Sequence, residues 1–300
     1  MSRAGWFFLL VAVPTLMAQT GSRMPTPPER GLVPASAPFN AQDCKACHDP
    51  AVFERLERTH HAGMSQSCAN CHGNVAEHAA SGDPSLVVSF KSLQPKQQNE
   101  ICLSCHERGE QANWHGGMHD RRKLSCVSCH SVHHFESTSS QLKAASETAV
   151  CFTCHANVRA QTMRTSHHPI REGKMACAEC HNPHGSPTPK MIRAASVNDQ
   201  CFECHAEFRG PFLWEHAPVR ENCTSCHSPH GSNHERLLVA RQPFLCQRCH
   251  LATRHPGTLY DLRTSSIGAS PSNRAVERSC RNCHTQVHGS NHPSGAYLGR

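Results

Sequence analysis

The chain has 300 residues, and its 30 Lys and Arg exceed its 23 Asp and Glu by a formal charge of +7. Apolar residues make up 37%, a figure that includes 20 Cys, and aromatic residues make up only 5%. This composition excludes the two large apolar cores that a chain of this length ordinarily builds. Because the chain also carries 26 His, we expect a group bound by Cys and His to fill its interior.

Residues 1–18 have the features of a secretory signal peptide. Arg3 precedes an apolar run over 6–18, which is too short to span a bilayer and suits the central region of an export signal. We expect cleavage after Ala18, with a retained anchor as the alternative. Residues 19–43 are rich in Pro and are expected to form an extended, disordered linker. We expect residues 44–300 to form one domain without a membrane span of its own.

All 20 Cys belong to ten Cys-x-x-Cys-His units, the attachment motif of c-type haem. The two thiols add across the vinyl groups of the porphyrin, and the His is placed to bind the iron. The Cys are Cys44, Cys47, Cys68, Cys71, Cys102, Cys105, Cys126, Cys129, Cys151, Cys154, Cys177, Cys180, Cys201, Cys204, Cys223, Cys226, Cys246, Cys249, Cys280 and Cys283. The His that end the units are His48, His72, His106, His130, His155, His181, His205, His227, His250 and His284.

Other uses of paired cysteines fit this pattern poorly. Zinc sites do not require His after every pair, a thioredoxin-like motif occurs once, and a disulfide framework has irregular spacings. The ten units lie within residues 44–284, about 24 residues for each haem. This is too little chain to enclose a haem, so neighbouring haems must pack against each other. The predicted fold is a haem-dominated multihaem cytochrome c, with short α-helices and irregular loops around a linear chain of ten haems and almost no β-sheet.

The units fall into five pairs, which predicts five two-haem modules starting near residues 44, 102, 151, 201 and 246. A His follows the second unit of each pair within a few residues, and another precedes it. These ten are the candidate second axial ligands: His61, His78, His119, His133, His168, His184, His216, His230, His255 and His288.

The spacing leaves several ligand assignments open. His60 and His167 lie directly before His61 and His168, so either member of each doublet could bind iron. His255, which lies 25 residues before Cys280, is the least regular candidate. Imidazoles on opposite faces of a haem have Cα atoms roughly 12 Å apart, whereas three residues span at most about 10 Å. His184 must therefore serve a different haem from that of His181, although the spacing does not say which.

Phrases between the units resemble those of the periplasmic decahaem cytochromes of the MtrA/DmsE type. The resemblance covers residues 44–300 and rests on segments at 116–120, 182–186, 206–211, 213–218 and 287–295. It implies bis-histidine ligation at the ten candidate positions. It also implies an electron conduit between the periplasm and the cell exterior, held inside an outer-membrane β-barrel porin and serving extracellular metal reduction or Fe(II) oxidation.

Several partners and one alternative function follow from this resemblance. The implied partners are the porin, periplasmic redox cytochromes and an extracellular multihaem cytochrome, and the implied location is the periplasm at the outer membrane. The alternative is a soluble periplasmic carrier to a terminal reductase of the dimethyl sulfoxide type. An enzyme is not expected, since every unit ends in His and ten further His are available to close the irons. Nucleic acid is not an expected partner either, because two propionates on each haem offset the basic charge.

Overall fold

The computed structural model describes residues 33–34, 36–63, 68–250, 280–293 and 295–298. The predicted signal peptide, most of the predicted linker and the candidate ligand His255 lie outside these residues.

Short helices joined by irregular loops make up the described chain. The α-helices are α1 (Ala41–Cys44), α2 (Pro50–Glu57), α3 (Ala69–His72), α4 (Val75–Ser81), α5 (Pro95–His106), α6 (Met118–Arg121), α7 (Cys126–Cys129), α8 (Glu147–Phe152), α9 (Ala156–Thr162), α10 (Val197–Phe202), α11 (Ala217–Glu221) and α12 (Phe244–Gln247). The 3₁₀ helices are His60–Gly63, Pro84–Leu86, Phe90–Ser92, Gly109–Gln111, Ser139–Gln141, Cys177–Glu179, Pro189–Met191, Ala206–Phe208, Cys223–Ser225, Glu235–Leu237, Cys280–Asn282 and Gly295–Tyr297. Within the described residues, β-pairing is limited to isolated bridges. The prediction of short helices with almost no sheet is confirmed.

Each Cys-x-x-Cys-His unit forms one helical turn. In the first unit, for example, the His48 amide donates to the Cys44 carbonyl at 3.0 Å, and the same i to i−4 bond recurs at His155 and His227. A turn of 3.6 residues brings the first Cys and the His to one side of the backbone. The local fold of every unit therefore presents its thiols and its imidazole together.

The two units of a module differ in their setting. First units lie at the C-terminal ends of helices, and Ser residues cap two of these helices. Ser146 accepts from the Ala149 amide at 3.1 Å at the start of α8, and Ser196 accepts from the Asp199 amide at 3.0 Å at the start of α10. Second units form short turns that lead into a loop closed by a backbone bridge, as between His181 and Ile192.

Very little apolar side-chain area is buried in the described chain. The buried apolar residues there are Ala69, Val75, Ile101, Leu103, Trp114 and Phe135. This small set is far below what a protein core of this size requires. The composition therefore predicted correctly that protein side chains alone do not fill the interior.

The C-terminal end of the predicted linker lies against the first module. The Ala76 amide donates to the Ser36 hydroxyl at 3.2 Å, and Pro34 packs over Gly73. Pro34 and Ser36, at the end of the predicted linker, therefore contact the segment that leads into α4 and the first turn of that helix.

Successive modules are joined by backbone contacts. Ser166 forms a two-way bridge with Ser232, with N–O distances of 2.9 and 2.8 Å, and Trp214 forms the same bridge with Ser290 at 2.9 Å both ways. In both cases a segment before the second unit of one module meets the loop after the second unit of the next module. The repeats are therefore interlocked along the chain.

Candidate metal centres: histidine pairs across the modules

The structure brings eighteen of the twenty candidate histidines together as nine facing pairs. The pairs are His48 with His78, His61 with His106, His72 with His133, His119 with His155, His130 with His184, His168 with His205, His181 with His230, His216 with His250, and His227 with His288. Each pair joins one His from a Cys-x-x-Cys-His unit to one candidate second ligand. His284 is described, but its expected partner His255 is not.

The separation within each pair fits a single metal ion between the two rings. Ring centres lie between 6.0 Å, for His61 and His106, and 6.4 Å, for His168 and His205. Two imidazoles on one metal, each with a metal–nitrogen bond of about 2 Å, have ring centres roughly 6 Å apart. Directly stacked rings would lie closer together. The described residues thus fit the iron of a haem at each of these nine positions.

Most pairs join adjacent modules, and they do so in two directions. The His before a second unit faces the first unit of the next module, as His119 faces His155. The His after a second unit faces the second unit of the preceding module, as His184 faces His130. The first module differs at its free end, where His78 faces His48 of the same module. The exclusion of His184 from the unit of His181 agrees with this arrangement.

In each histidine doublet, one member faces the His of a Cys-x-x-Cys-His unit. His61, and not its neighbour His60, faces His106, and His168 faces His205. His167 instead bonds the Arg164 carbonyl at 2.7 Å and the Glu172 carboxylate at 3.0 Å.

Backbone carbonyls orient many of these imidazoles. His119 Nδ1 donates to the Pro183 carbonyl at 2.7 Å, and His168 Nδ1 donates to the Pro229 carbonyl at 2.8 Å. Each carbonyl belongs to the residue directly before a paired His of the next module. A proton held on Nδ1 leaves Nε2 free to bind a metal, and the acceptor increases the basicity of the ligand.

Burial keeps the candidate ligands neutral. Desolvation lowers the pKa values of His133, His184, His230 and His288 below the ordinary histidine value, and the facing imidazole lowers them further. Only the neutral imidazole binds a metal. The electrostatics of these positions therefore favour ligation at neutral pH.

Neighbouring units approach each other through their thiols in an alternating pattern. Within modules, the first cysteines of the two units interact: Cys44 with Cys68, Cys102 with Cys126, Cys151 with Cys177, Cys201 with Cys223, and Cys246 with Cys280. Between modules, the second cysteines interact: Cys71 with Cys105, Cys129 with Cys154, Cys180 with Cys204, and Cys226 with Cys249. In the last four cases burial raises the pKa of the first-named Cys, and the second thiol raises it further; Cys180 is also influenced by Cys201, the first thiol of the same neighbouring unit. The ten units are thus neighbours in the order of the sequence.

An open cavity of about 640 Å³ lies beside α8 and α9, and its lining includes Glu147 and Glu179. Phe152, Met163 and Ile170 provide apolar surface, while Arg159 and Arg171 provide positive charge. The apolar residues could contact a macrocycle and the arginines could pair with its carboxylates.

Sequence reasoning missed the buried asparagines that hold the two units of a module together. Asn198, three residues before Cys201, donates to the Val219 and Arg220 carbonyls at 2.9 and 3.0 Å and accepts from the Cys223 amide at 2.8 Å. The side-chain oxygen of Asn99 likewise accepts from the Cys126 amide at 2.8 Å. Their common position before a first unit is the signal that could have revealed them.

These features together define a multihaem c-type cytochrome, a protein that transports electrons through covalently bound haems. Its cysteine turns attach the cofactor, its facing histidines fit the irons, and its units are arrayed in series.

Comparison with known proteins gives the same class. A family described as "Doubled CXXCH motif" matches residues 167–210 and 216–255, and a family described as "Cytochrome c-type protein NrfB-like" matches residues 68–148. The multiheme cytochrome MtrA of Shewanella baltica is 40% identical over 277 residues, which cover 88% of this chain and 82% of MtrA. The cytochrome c-type protein NrfB of Escherichia coli is 30% identical over 126 residues, covering 39% of this chain and 65% of NrfB. The chain belongs to the MtrA family of multihaem cytochromes.

Proposed function

We propose that the protein carries ten bis-histidine haems. Nine of them would be bound by the facing histidine pairs, and the tenth by His284 and His255. The support is the repeat itself: each module contributes one ligand forwards and one backwards. At the free N-terminal end the backward ligand, His78, closes its own module. By the same logic the forward ligand of the last module, His255, is left to close the haem of His284.

A substitution pair tests this ligation. His230 faces His181, whereas His234 lies four residues further on and is not among the paired histidines. We expect His230→Ala to convert one haem from low-spin to high-spin in the electron paramagnetic resonance (EPR) spectrum, and His234→Ala to leave all haems low-spin. Equal spectra from the two variants would contradict the assignment.

We further propose that the haems form an electron conduit across the outer membrane, inside a β-barrel porin. The observation that carries this proposal is the serial arrangement, in which each unit adjoins the next in sequence order through its cysteines. Nine intervals of about 5 Å or more between stacked ring systems give a chain of at least roughly 45 Å. A bilayer with its headgroups is about 40–45 Å thick.

In this role the polypeptide holds and insulates a series of one-electron carriers. The bound haems supply the redox chemistry, while the histidines keep each iron closed to other ligands. Periplasmic redox cytochromes would meet one end of the series. An extracellular acceptor or donor, such as another multihaem cytochrome, would meet the other end. Either extracellular metal reduction or Fe(II) oxidation is compatible with this arrangement. The periplasmic face of the outer membrane is the corresponding location.

Fractionation of native cells tests the conduit. After a high-salt wash of the membranes, we expect the haem-stained band to remain with the outer membrane and to co-purify with a β-barrel protein. The cytochrome and the barrel protein, purified together and placed in liposomes, should then pass electrons from external dithionite to an enclosed dye. Liposomes that hold the barrel protein alone should leave the dye oxidised. Recovery of the cytochrome in the soluble periplasm would overturn the conduit. It would favour a diffusing carrier to a terminal reductase instead.

Among the described residues, no helix is both long and apolar enough to cross a membrane.

A further inference from the structure

One of the nine histidine pairs lacks a hydrogen bond that the other eight share. In those eight, one imidazole donates its Nδ1 proton to a backbone carbonyl. The donors are His72, His78, His119, His130, His168, His181, His216 and His227, with Nδ1–O distances from 2.6 to 3.1 Å. In the ninth pair, Nδ1 of His61 is buried without a hydrogen-bond partner, and His106 is exposed to solvent.

The equivalent carbonyl for His61 would be that of Val132. It precedes His133 as Pro183 precedes His184 and Pro229 precedes His230. The Val132 carbonyl instead accepts from the side-chain amide of Gln141 at 3.5 Å. The Gln141 side chain also approaches the His61 ring, although His61 Nδ1 makes no hydrogen bond to it.

A single residue explains why the direct bond does not form. The residue after the paired His is Gly185 in one module and Gly231 in the next, at φ +116° and +148°. A Cβ at these positions would lie 2.1 Å from the Asn113 carbonyl oxygen and 2.0 Å from that of Gln161. The preceding module can therefore approach only where this residue is Gly. The second module has His134 at this position, where a Cβ is incompatible with an equally close approach by the segment that carries His61.

We propose that the haem bound by His61 and His106 is the most easily reduced of the nine that the facing pairs would hold. The inference rests on the proposed ligation. A carbonyl that accepts from Nδ1 makes an imidazole a better electron donor and stabilises ferric iron. In the pair of His61 and His106, His61 Nδ1 donates to no backbone carbonyl. A haem held by this pair would accept one electron from a neighbouring haem, and His61 would keep its Nδ1 proton throughout.

The ring geometry provides a spectroscopic label for this haem. The planes of His61 and His106 cross at 67°, the largest angle among the nine pairs. Crossed axial imidazoles give low-spin ferric haem its most anisotropic EPR signal. In a potentiometric titration of the purified holoprotein, this signal should be the first to disappear on reduction.

Substitution of Gln141 tests the cause. Gln141→Glu places a carboxylate acceptor against His61, so the ferric-to-ferrous ratio of this haem at a fixed potential should rise at least tenfold, a fall of about 59 mV. Met191→Glu is the matched control. The Gln141 carbonyl accepts from the amide of Ser131, the residue after one unit His. The Met191 carbonyl accepts in the same way from the amide of Asn182, the residue after the unit His of the next module, so Met191 and Gln141 occupy the same loop position. In the module that carries Met191, the facing residue His119 already donates to a backbone carbonyl. Met191→Glu should therefore shift the reduction potential by less than a third of the shift expected for Gln141→Glu.

His61→Ala separates the two proposals. Loss of the most anisotropic signal with gain of one high-spin haem would uphold the ligation. Absence of both changes would refute the ligation and with it the inference. If the ligation holds but the signal disappears late in the wild-type titration, or if Gln141→Glu and Met191→Glu shift it equally, the inference is overturned and the ligation stands.

Discussion

Gly231 tests whether close contact between modules positions the haem ligands. It lies at φ +148°, and a Cβ there would lie 2.0 Å from the Gln161 carbonyl oxygen of the preceding module. Relief of that overlap requires a backbone shift of more than ~1 Å, and such overpacking costs about 1–3 kcal/mol. An L residue at positive φ adds about 1–2 kcal/mol. We therefore expect Gly231→Ala to lower the free energy of unfolding by roughly 2–5 kcal/mol.

The shift should also reach the histidines. The bridge between Ser166 and Ser232 lies directly beside Gly231, and the bond from His168 to the Pro229 carbonyl crosses the same contact. Loosening of this contact should partly release His168. We expect a fraction of one haem to become high-spin.

Gly173→Ala is the control, because Gly173 also has a positive φ, +68°, but nothing lies within 4 Å of its Cβ position. It should cost only about 1–2 kcal/mol and leave every haem low-spin. Urea unfolding followed by far-ultraviolet circular dichroism measures the stability, and EPR measures the spin state. Equal midpoints and identical spectra for the two variants would refute the role of the contact.

Three further predictions follow from the described contacts. Asn198→Ala leaves the Val219 and Arg220 carbonyls and the Cys223 amide without their partner. It should lower the free energy of unfolding, measured in urea, by about 1–3 kcal/mol, whereas substitution of the exposed Asn233 should change it little. EPR of the oxidised protein should show two low-spin classes. The rings of five pairs cross at only 18–28°, namely the four pairs that include second-unit histidines and the pair of His216 with His250, whereas those of the other four pairs that include first-unit histidines cross at 47–67°. Acid should favour high-spin haem. Burial holds the pKa of His133 below the ordinary histidine value, so His133 binds a proton more readily once it is released from the metal, and ligation weakens as the pH falls. A spin state independent of pH down to 4 would contradict this.

The cofactor chemistry could be predicted from local patterns. A Cys-x-x-Cys-His turn is complete within five residues, since its backbone bond runs from the His amide to the first Cys carbonyl. No distant contact is needed to form it. The spacing of the remaining histidines likewise predicted His119, His168 and His216 as candidate ligands, because each precedes its second unit by a similar number of residues.

The pairing of ligands could not be predicted, because it depends on contacts between modules. His184 lies three residues from His181, yet it faces His130, more than fifty residues away. Chain reach excluded the nearest haem, but several others remained possible. The choice is made where Gly185 allows the Asn113 backbone to approach.

The sequence by itself determined the number of attachment units, the scarcity of apolar core and the candidate ligands, since these depend on composition and on spacings within a few residues. Only the tertiary structure decided that the units adjoin in sequence order, as Cys129 adjoins Cys154, and that His61 rather than His60 faces His106. It also decided that the His61 pair alone, of the nine described, lacks a backbone acceptor. The physical reason is steric: two modules approach closely where the residue after the His that follows a second unit is Gly, and only the tertiary structure shows which segment of the neighbouring module lies against that residue.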